Sequence, residues 1–217
     1  MSRPDYNHSA SEAPRLLLAG FGAYPQVPDN PAARIVERLT AQGWAPAGAE
    51  LCGRVIPVSW TAGPAAVLEA ARTQRASAVL LLGATPIGAD FRVEMRAQNR
   101  VGRRRPDAEG RLWGDDRILP TGPGVVRATA PVAEMVKAVK TVGCPVRASS
   151  ESGDFVDNFT FYRLLAELGA DDAAPAAVGR LAIPAQIDLD LAERAIKAAA
   201  EAFAKSLSAP LPEPVPA

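Results

Sequence analysis

The stretch "SAVLLLG" at residues 77–83 is short and wholly apolar, and it ends at a glycine. A run of this length that is apolar on both faces is typical of a strand in the centre of a parallel sheet. Before it, "RLLLAGF" (15–21) and "ELCGRVIPV" (50–58) predict two further strands, and the apolar spacing and end signals of 29–43 and 61–74 predict helices. This β-α-β-α-β alternation predicts an α/β fold with helices on both faces of the sheet.

The alternation is interrupted between about 90 and 125 and then resumes. The first part of the interruption alternates polar and apolar residues, and the rest is rich in Gly, Asp and Pro, which favours an extended hairpin over a crossover helix. The overall prediction is a three-layer α/β/α sandwich with a mostly parallel central sheet and a hairpin-like excursion around 90–125. The elements predicted after the excursion are helices at 131–143, 155–169 and 188–207 and strands at 145–150 and 176–184.

These elements predict a single domain over residues 15–207. Residues 1–14 are polar and predict a flexible N-terminal tail, and residues 208–217 predict an extended Pro-rich tail. The chain of 217 residues has a formal net charge of zero, which favours neither nucleic acid nor membrane as a partner. No apolar run approaches the roughly 20 residues that span a bilayer, and we expect a cytoplasmic protein.

The single histidine, His8, lies in the polar N-terminal segment. Histidine is the usual general base near neutral pH and a common metal ligand, so this placement argues against Ser-His or Cys-His catalysis and against a typical zinc site. We therefore predict no metal and no cofactor. The two cysteines, Cys52 and Cys144, stand in apolar runs, where a cysteine is usually a small core residue.

Arginines are concentrated in and around the excursion. Such a cluster is either a solvated, salt-bridged surface or a site for an anionic group such as a carboxylate, which arginine binds in a bidentate manner. The residues concerned are Arg96, Arg100, "RRR" at 103–105, Arg111 and Arg117.

The stretch "SSESGDFVDNFTFYRLL" at 149–165 predicts a strand end, a polar turn and the first turns of a helix. Enzymes often place a nucleophile at such a junction, because the amides of a helix N-terminus stabilise negative charge. The residue at this point is Asp157. Ligands in such sheets bind beyond the carboxyl ends of strands, so we expect this turn to meet the loops after Phe21, at 83–88 and at 182–184.

Five motifs occur in the order found in pyroglutamyl peptidase I, a cysteine peptidase that removes N-terminal pyroglutamate, and the chain resembles this family over about residues 15–205. The resemblance implies the family's α/β fold, and family members commonly self-associate, which implies a homo-oligomer. The matching segments are "GFGAY" with "NP" (20–24 and 30–31), "LLLG" (80–83) followed by Glu94 and Asn99, "RRPDAEG" (104–110), "SESGDFVDN" (150–158) and "AIP" (182–184).

The resemblance also assigns catalytic positions. The family's nucleophilic cysteine corresponds to Asp157, its histidine base to Ala182, and the acid that orients the histidine to Glu94. Of these three positions only Glu94 matches. A carboxylate is a far poorer nucleophile toward an amide than a thiolate is, and alanine cannot transfer a proton.

Three further positions follow from the same resemblance. The family's arginine near the oxyanion site corresponds to Arg104. The aromatic residues that flank the pyroglutamyl ring correspond to Phe21 and Tyr24. Cys144 is not expected to replace the missing thiol, since it precedes its predicted strand and would lie at the opposite end.

Two hypotheses follow. In the first, the protein is a non-catalytic relative that keeps the fold and a pocket for a small molecule or a peptide N-terminus, and Asp157 only stabilises a helix N-terminus. In the second, Glu94 and Asp157 lie close together and act as acid and base in a hydrolase or lyase, with or without a metal. Pyroglutamyl peptidase activity itself is not expected.

Overall fold

The computed structural model describes residues 13–86, 88–167 and 175–208. Most of both predicted tails, and His8, lie outside these ranges. The elements are β1 (Arg15–Phe21), α1 (Pro31–Ala41), β2 (Glu50–Ile56), α2 (Ala62–Thr73), β3 (Ala78–Thr85), β4 (Phe91–Glu94), β5 (Arg96–Gln98), β6 (Val125–Arg127), α3 (Val132–Thr141), β7 (Val146–Ser149), α4 (Val156–Glu167), β8 (Ala177–Pro184) and α5 (Leu189–Ser208).

Within the described ranges, the central sheet has six strands in the order β2-β1-β3-β8-β4-β7. Strands β2, β1, β3 and β8 run parallel to one another, whereas β4 runs antiparallel to β8 and parallel to β7. The apolar run at 77–83 forms most of β3, which lies between β1 and β8 and is almost wholly buried. The predicted mostly parallel sheet is confirmed.

Helices cover both faces of this sheet. Alternate residues of the inner strands point to opposite faces, so that Leu18 and Leu80 contact one apolar cluster and Leu17 and Leu81 the other. The first cluster includes buried side chains of α1, α3 and α5, and the second includes those of α2 and α4. The three-layer α/β/α prediction is therefore confirmed.

The excursion forms a second, two-stranded sheet in which β5 pairs antiparallel with β6. Asn99 holds the long connection together: its side-chain amide donates to the carbonyls of Leu119 and Gly122 and accepts from the N–H groups of Ile118 and Leu119. Residues 91–94 depart from the prediction, because they belong to the central sheet as β4. The reason is that Phe91 and Val93 are fully buried in the core that β4 shares with β8.

Strand β7 also differs from the prediction. Because it pairs with the reversed strand β4, its carboxyl end points away from the carboxyl ends of β1, β3 and β8. The segment after β7 nevertheless reaches β8, where the carbonyl of Ser152 accepts a hydrogen bond from Arg180.

Helix α1 lies directly on β1, and Gly20 makes this approach possible. A Cβ atom on Gly20 would lie 2.5 Å from the carbonyl oxygen of Ala32. The helix begins after Asn30, whose side chain accepts from the N–H of Ala32 and donates to the carbonyl of Gly22. Among the described residues, no helix is both long enough and apolar enough to span a bilayer.

Candidate functional site

Asp157 is the second residue of α4, where the free amides of the first turn favour negative charge. Its Oδ1 accepts a hydrogen bond of 2.9 Å from the N–H of Asn158. Asn158 is fully buried and exchanges two hydrogen bonds with the backbone of Gln98 in β5, at 2.8 and 3.0 Å. The start of α4, and with it Asp157, is thereby fixed against the excursion.

Arg180 lies opposite Asp157, in the middle of β8, with its side chain only 1% exposed. Its Nη2 forms an ion pair and hydrogen bond with Oδ2 of Asp157, and its Nη1 donates to the carbonyl of Ser152 at 2.9 Å. A buried charge of this kind is tolerated only when it is paired and hydrogen-bonded.

Glu94 is completely buried at the end of β4. Its Oε1 lies 3.4 Å from Nε of Arg92 and 3.9 Å from Nη1 of Arg180, but neither carboxylate oxygen has a hydrogen-bond partner within the described ranges. Glu94 and Asp157 therefore lie near each other, as predicted, but through a shared partner: both carboxylates contact the guanidinium of Arg180. The positive charge of Arg180 lies between them and offsets their mutual repulsion.

Ala182 follows Arg180 by two residues on β8, so both side chains point to the same face of the sheet, which α4 covers. It pairs in register with Gly83 of β3 on one side and with Arg92 of β4 on the other, and it is fully buried. The positions 94, 157 and 182 thus lie on one face of the sheet, around Arg180. Only a methyl group is present at 182.

A cavity of about 90 Å³ opens in front of this charged group. Phe21, Tyr24 and Phe155 provide its aromatic wall, and the rings of Tyr24 and Phe155 lie 5.6 Å apart. Its volume is several times the space that one water molecule needs, which suits a small ligand group. The other lining residues are Asn30, Val58, Gly83, Ala84, Thr85, Pro86, Arg92, Arg105, Ser152, Gly153, Asp154, Asp157 and Arg180.

Two of the three predicted binding residues line the cavity. Phe21 and Tyr24 line the cavity, whereas Arg104 is exposed and does not; the arginine of this segment that lines the cavity is Arg105. Arg105 lies over the ring of Phe155, with its Cζ 4.2 Å from the ring centroid, and 3.6 Å from a carboxylate oxygen of Asp154. This stacking draws Arg105 rather than its neighbour toward the cavity.

The loops around the cavity come from three of the four predicted segments: those after β1, after β3 and after β7. The end of β8 at 182–184 does not line it. Sequence analysis missed Arg92 and Arg180. A signal for Arg180 was present, since it is the one charged residue within the apolar run "AAVGRLAIP" at 176–184.

Burial changes the acidity of three groups that bear on the chemistry. It raises the pKa of the Tyr24 hydroxyl, and the negative charge of Asp157 adds to this effect while Arg105 opposes it. Burial also raises the pKa of the Cys52 and Cys144 thiols, which makes both poorer sources of thiolate. Cys144 is buried in the core between the sheet and α5, on the opposite face of the sheet from Asp157, so the sheet itself separates it from the cavity.

In the parts of the chain that the structure describes, no three His, Cys, Asp or Glu side chains are grouped so that they could hold a metal ion. The charged residues at the cavity can stabilise one another and bind a polar ligand.

The chain is similar in sequence to pyrrolidone-carboxylate peptidases. A pyrrolidone-carboxylate peptidase of Mycobacterium marinum is 35% identical over 156 residues, which cover 70% of this chain and 68% of that protein. One of Mycobacterium tuberculosis is 33% identical over 175 residues, which cover 78% and 77% of the two chains.

Solved structures show the same relationship. Pyroglutamyl peptidase I of Bacillus amyloliquefaciens superposes with a TM-score of 0.81 at 26% identity, covering 88% of this chain and 95% of that one. The pyrrolidone carboxyl peptidase of Thermococcus litoralis, at 22% identity and a TM-score of 0.82, has the same fold over 89% of this chain and 94% of its own. The sequence pattern of the family described as "Pyroglutamyl peptidase" matches residues 14–204. The chain therefore belongs to the pyroglutamyl peptidase family.

Proposed function

We propose that this protein is a member of its family that does not act as a cysteine peptidase, and that it binds a small molecule or a peptide N-terminus in the cavity. The observation that carries this proposal is the ion pair between Asp157 and the buried Arg180. Asp157 stands where the resemblance places the nucleophile, and a carboxylate held by a guanidinium is a poor nucleophile toward an amide.

The position of the general base supports the same conclusion. Ala182 faces the side of the sheet that carries Arg180 and Asp157, but its methyl group has no proton to give or take. The single histidine of the chain, His8, is about 150 residues away from Asp157 in sequence and lies outside the described residues. Hydrolysis through an acyl-enzyme requires both a nucleophile and a base, so both steps lack their residue.

The cavity itself supports retained binding. Phe21 and Tyr24, the two aromatic residues that the resemblance assigns to the pyroglutamyl ring, both line it. Gly83 lines the cavity beside Asp157, and a Cβ there would contact the Asp157 side chain at 3.4 Å, so a larger side chain would occupy part of the cavity. A pocket that keeps its aromatic wall while its reactive groups form an internal ion pair is suited to binding.

The test is hydrolysis of a fluorogenic pyroglutamyl amide by the purified protein and by two variants. The first variant is Asp157→Cys with Ala182→His. The second adds Arg180→Met, because removal of Asp157 would leave the buried guanidinium without its main partner. We expect no hydrolysis by the native protein and measurable hydrolysis by the triple variant, which would demonstrate an intact pocket around an inactive centre.

Hydrolysis by the native protein would contradict the proposal. Inactivity of all three proteins would show that restoring the reactive groups is insufficient, and it would contradict the part of the proposal that concerns the pocket if pyroglutamamide also failed to bind the native protein.

The second candidate is an enzyme that uses Glu94 and Asp157 as acid and base. The contact of both carboxylates with one side chain favours it, but Glu94 is completely buried and does not line the cavity. A substrate in the cavity would therefore meet Asp157 alone. Any activity found in the native protein should be compared with that of the Glu94→Gln variant. An acid/base enzyme would lose its activity in this variant, whereas a binding protein would keep its fold and its ligand.

A further inference from the structure

Arginine side chains at the cavity offer more hydrogen-bond donors than the surrounding protein accepts. A guanidinium carries five N–H donors. Arg180 uses two of its nitrogens, for Asp157 and Ser152. Within the described ranges, Arg92 makes a single ion pair, with Glu94 at 3.4 Å, and Arg105 makes one with Asp154 at 3.6 Å; neither guanidinium donates a hydrogen bond there.

The interior behind the cavity contains unpaired groups of both kinds. The Nε atoms of Arg92 and Arg180 are buried donors without a hydrogen-bond partner among the described residues, whereas both oxygens of Glu94 are buried acceptors without one. Buried donors without an acceptor cost about 1–3 kcal/mol each, and charged ones cost more. A ligand in the cavity cannot reach these enclosed Nε atoms, so its acceptors would pair with the donors of Arg92 and Arg105 that line the cavity.

Arg92 is directed toward the cavity by the strand register. It lies directly across from Ala182, and directly opposed residues of an antiparallel pair share a face of the sheet. The Arg92 side chain is 21% exposed, and it lines the cavity together with Arg105.

The two aspartates at the cavity do not cancel this donor surplus. Asp157 is already bound to Arg180, and Asp154 lies beside Arg105. Phe21, Tyr24 and Phe155 form an aromatic part of the remaining wall. A suitable ligand thus has one acceptor-rich anionic end and a compact body that packs against rings.

We propose that the ligand is a small organic carboxylate, held by Arg92 and Arg105 through its carboxylate and by the aromatic wall through its body. Arginine matches a carboxylate in a bidentate, charge-assisted geometry, which a neutral amide with a single carbonyl oxygen cannot reproduce. This inference rests on the proposed function and specifies its ligand class: the pocket prefers a free acid to the neutral pyroglutamyl amide that a peptidase must bind.

Isothermal titration calorimetry of the full chain tests this with a matched pair of probes, pyroglutamate and pyroglutamamide. The two share one ring and differ in a carboxylate against an amide. We expect pyroglutamate to bind at least about tenfold more tightly, since a charge-assisted hydrogen bond is roughly twice as strong as a neutral one. Inorganic phosphate, which has the charge but no ring, should bind more weakly than pyroglutamate.

Variants assign the effect to the two arginines. Arg92→Met and Arg105→Met should each weaken pyroglutamate binding by about tenfold while leaving pyroglutamamide binding within about twofold. Arg147→Met is the matched control: Arg147 pairs in register with Arg92 on the neighbouring strand but is exposed and does not line the cavity. It should leave both affinities unchanged. Circular dichroism establishes that each variant is folded, and the exposed Arg105 provides the test if Arg92→Met does not fold.

Equal binding of acid and amide would overturn the inference and leave the proposed function intact. Phosphate binding as tight as that of pyroglutamate would also overturn it, since the site would then recognise charge alone. Failure of both ring compounds to bind would overturn it as well. Hydrolysis of the pyroglutamyl amide by the native protein would instead contradict the proposed function, so the two failures are distinguishable.

Discussion

Arg180 and Asp157 form an ion pair that joins the middle of β8 to the first turn of α4. Arg180 is fully buried, and its guanidinium also contacts Glu94 and the carbonyl of Ser152. One side chain therefore connects two strands of the sheet, the turn after β7 and the helix that carries Asp157. Two of the three catalytic positions inferred from the family resemblance, Glu94 and Asp157, thus belong to one internal charge network around Arg180.

Loss of one partner of this pair should destabilise the protein strongly. Arg180→Met leaves the Asp157 and Glu94 carboxylates without their shared cation, and breaking a buried pair from one side costs about 3–5 kcal/mol. Urea unfolding monitored by circular dichroism measures the change. Much of this cost comes from the charge that is left unpaired. The free energy of unfolding should therefore fall less in the double variant Arg180→Met with Asp157→Asn than the sum of its decreases in the two single variants, by about 0.5–3 kcal/mol.

The control for this cycle is Arg163→Met on the same helix as Asp157. Arg163 pairs with Glu167 one turn along α4, with both side chains about a third exposed, at 35% and 32%. Such a pair contributes about 0.3–0.5 kcal/mol, so the variant should unfold almost as the native protein does. Strict additivity in the Arg180–Asp157 cycle would show that the pair makes no stabilising interaction.

Substitution of Asn158 should destabilise the excursion more than the central sheet. Asn158→Ala removes both hydrogen bonds to the Gln98 backbone and leaves the partly buried N–H and C=O of Gln98 without these partners, at a cost of at most about 1–3 kcal/mol each. Hydrogen exchange should accelerate at the Gln98 amide and along β5. The comparison is Gln98→Ala, which keeps these two backbone bonds and should leave the exchange of β5 slow; equal acceleration in both variants would contradict this assignment.

Gly20→Ala should destabilise the contact between β1 and α1. The added Cβ would lie 2.5 Å from the Ala32 carbonyl oxygen, so the helix must move, and overpacking of this kind costs about 1–3 kcal/mol. Thermal unfolding measures the loss. Gly114→Ala is the matched control, since nothing lies within 4 Å of its Cβ position, and its midpoint should stay the same or rise slightly. An unchanged midpoint in Gly20→Ala would mean that α1 is not held against β1.

The raised pKa of Tyr24 predicts a loss of stability at alkaline pH. Burial favours the neutral phenol in the folded protein, so the contribution of Tyr24 is fully present below its ordinary pKa of 10.0 and is lost as pH rises through the higher folded value. The free energy of unfolding, measured in urea from pH 8 to 11, should therefore fall less steeply in Tyr24→Phe than in the native protein.

A direct measurement accompanies this prediction. Tyrosinate absorbance during an alkaline titration should show that the transition missing from Tyr24→Phe has a raised midpoint. Tyr162 also has a pKa raised by burial, so some alkaline dependence should persist in the variant. Identical stability curves for the two proteins would contradict the placement of Tyr24 in a desolvated wall.

Local patterns in the sequence determined most of the layered architecture. The apolar runs at 15–21 and 77–83 predicted β1 and β3 within two residues of their ends, and the spacing at 188–207 predicted α5 within one. Hydrophobic periodicity and end signals are properties of neighbouring residues, so they can be interpreted without knowing what an element packs against. The residues at 94, 157 and 182 were likewise known from the sequence, as was the single histidine at position 8, far from them along the chain.

Only the tertiary structure decided what surrounds these residues. The reversal of β4 and β7 depends on strand pairing between distant segments, which periodicity does not encode. In that pairing Arg92 lies directly opposite Ala182, and the position of Arg180 in β8 brings its side chain into contact with Asp157. The choice of Arg105 over Arg104 depends on the ring of Phe155, some 50 residues away. The partner of a buried charge is fixed by contacts between elements, and so the sequence determined the layers while the fold determined the charge network.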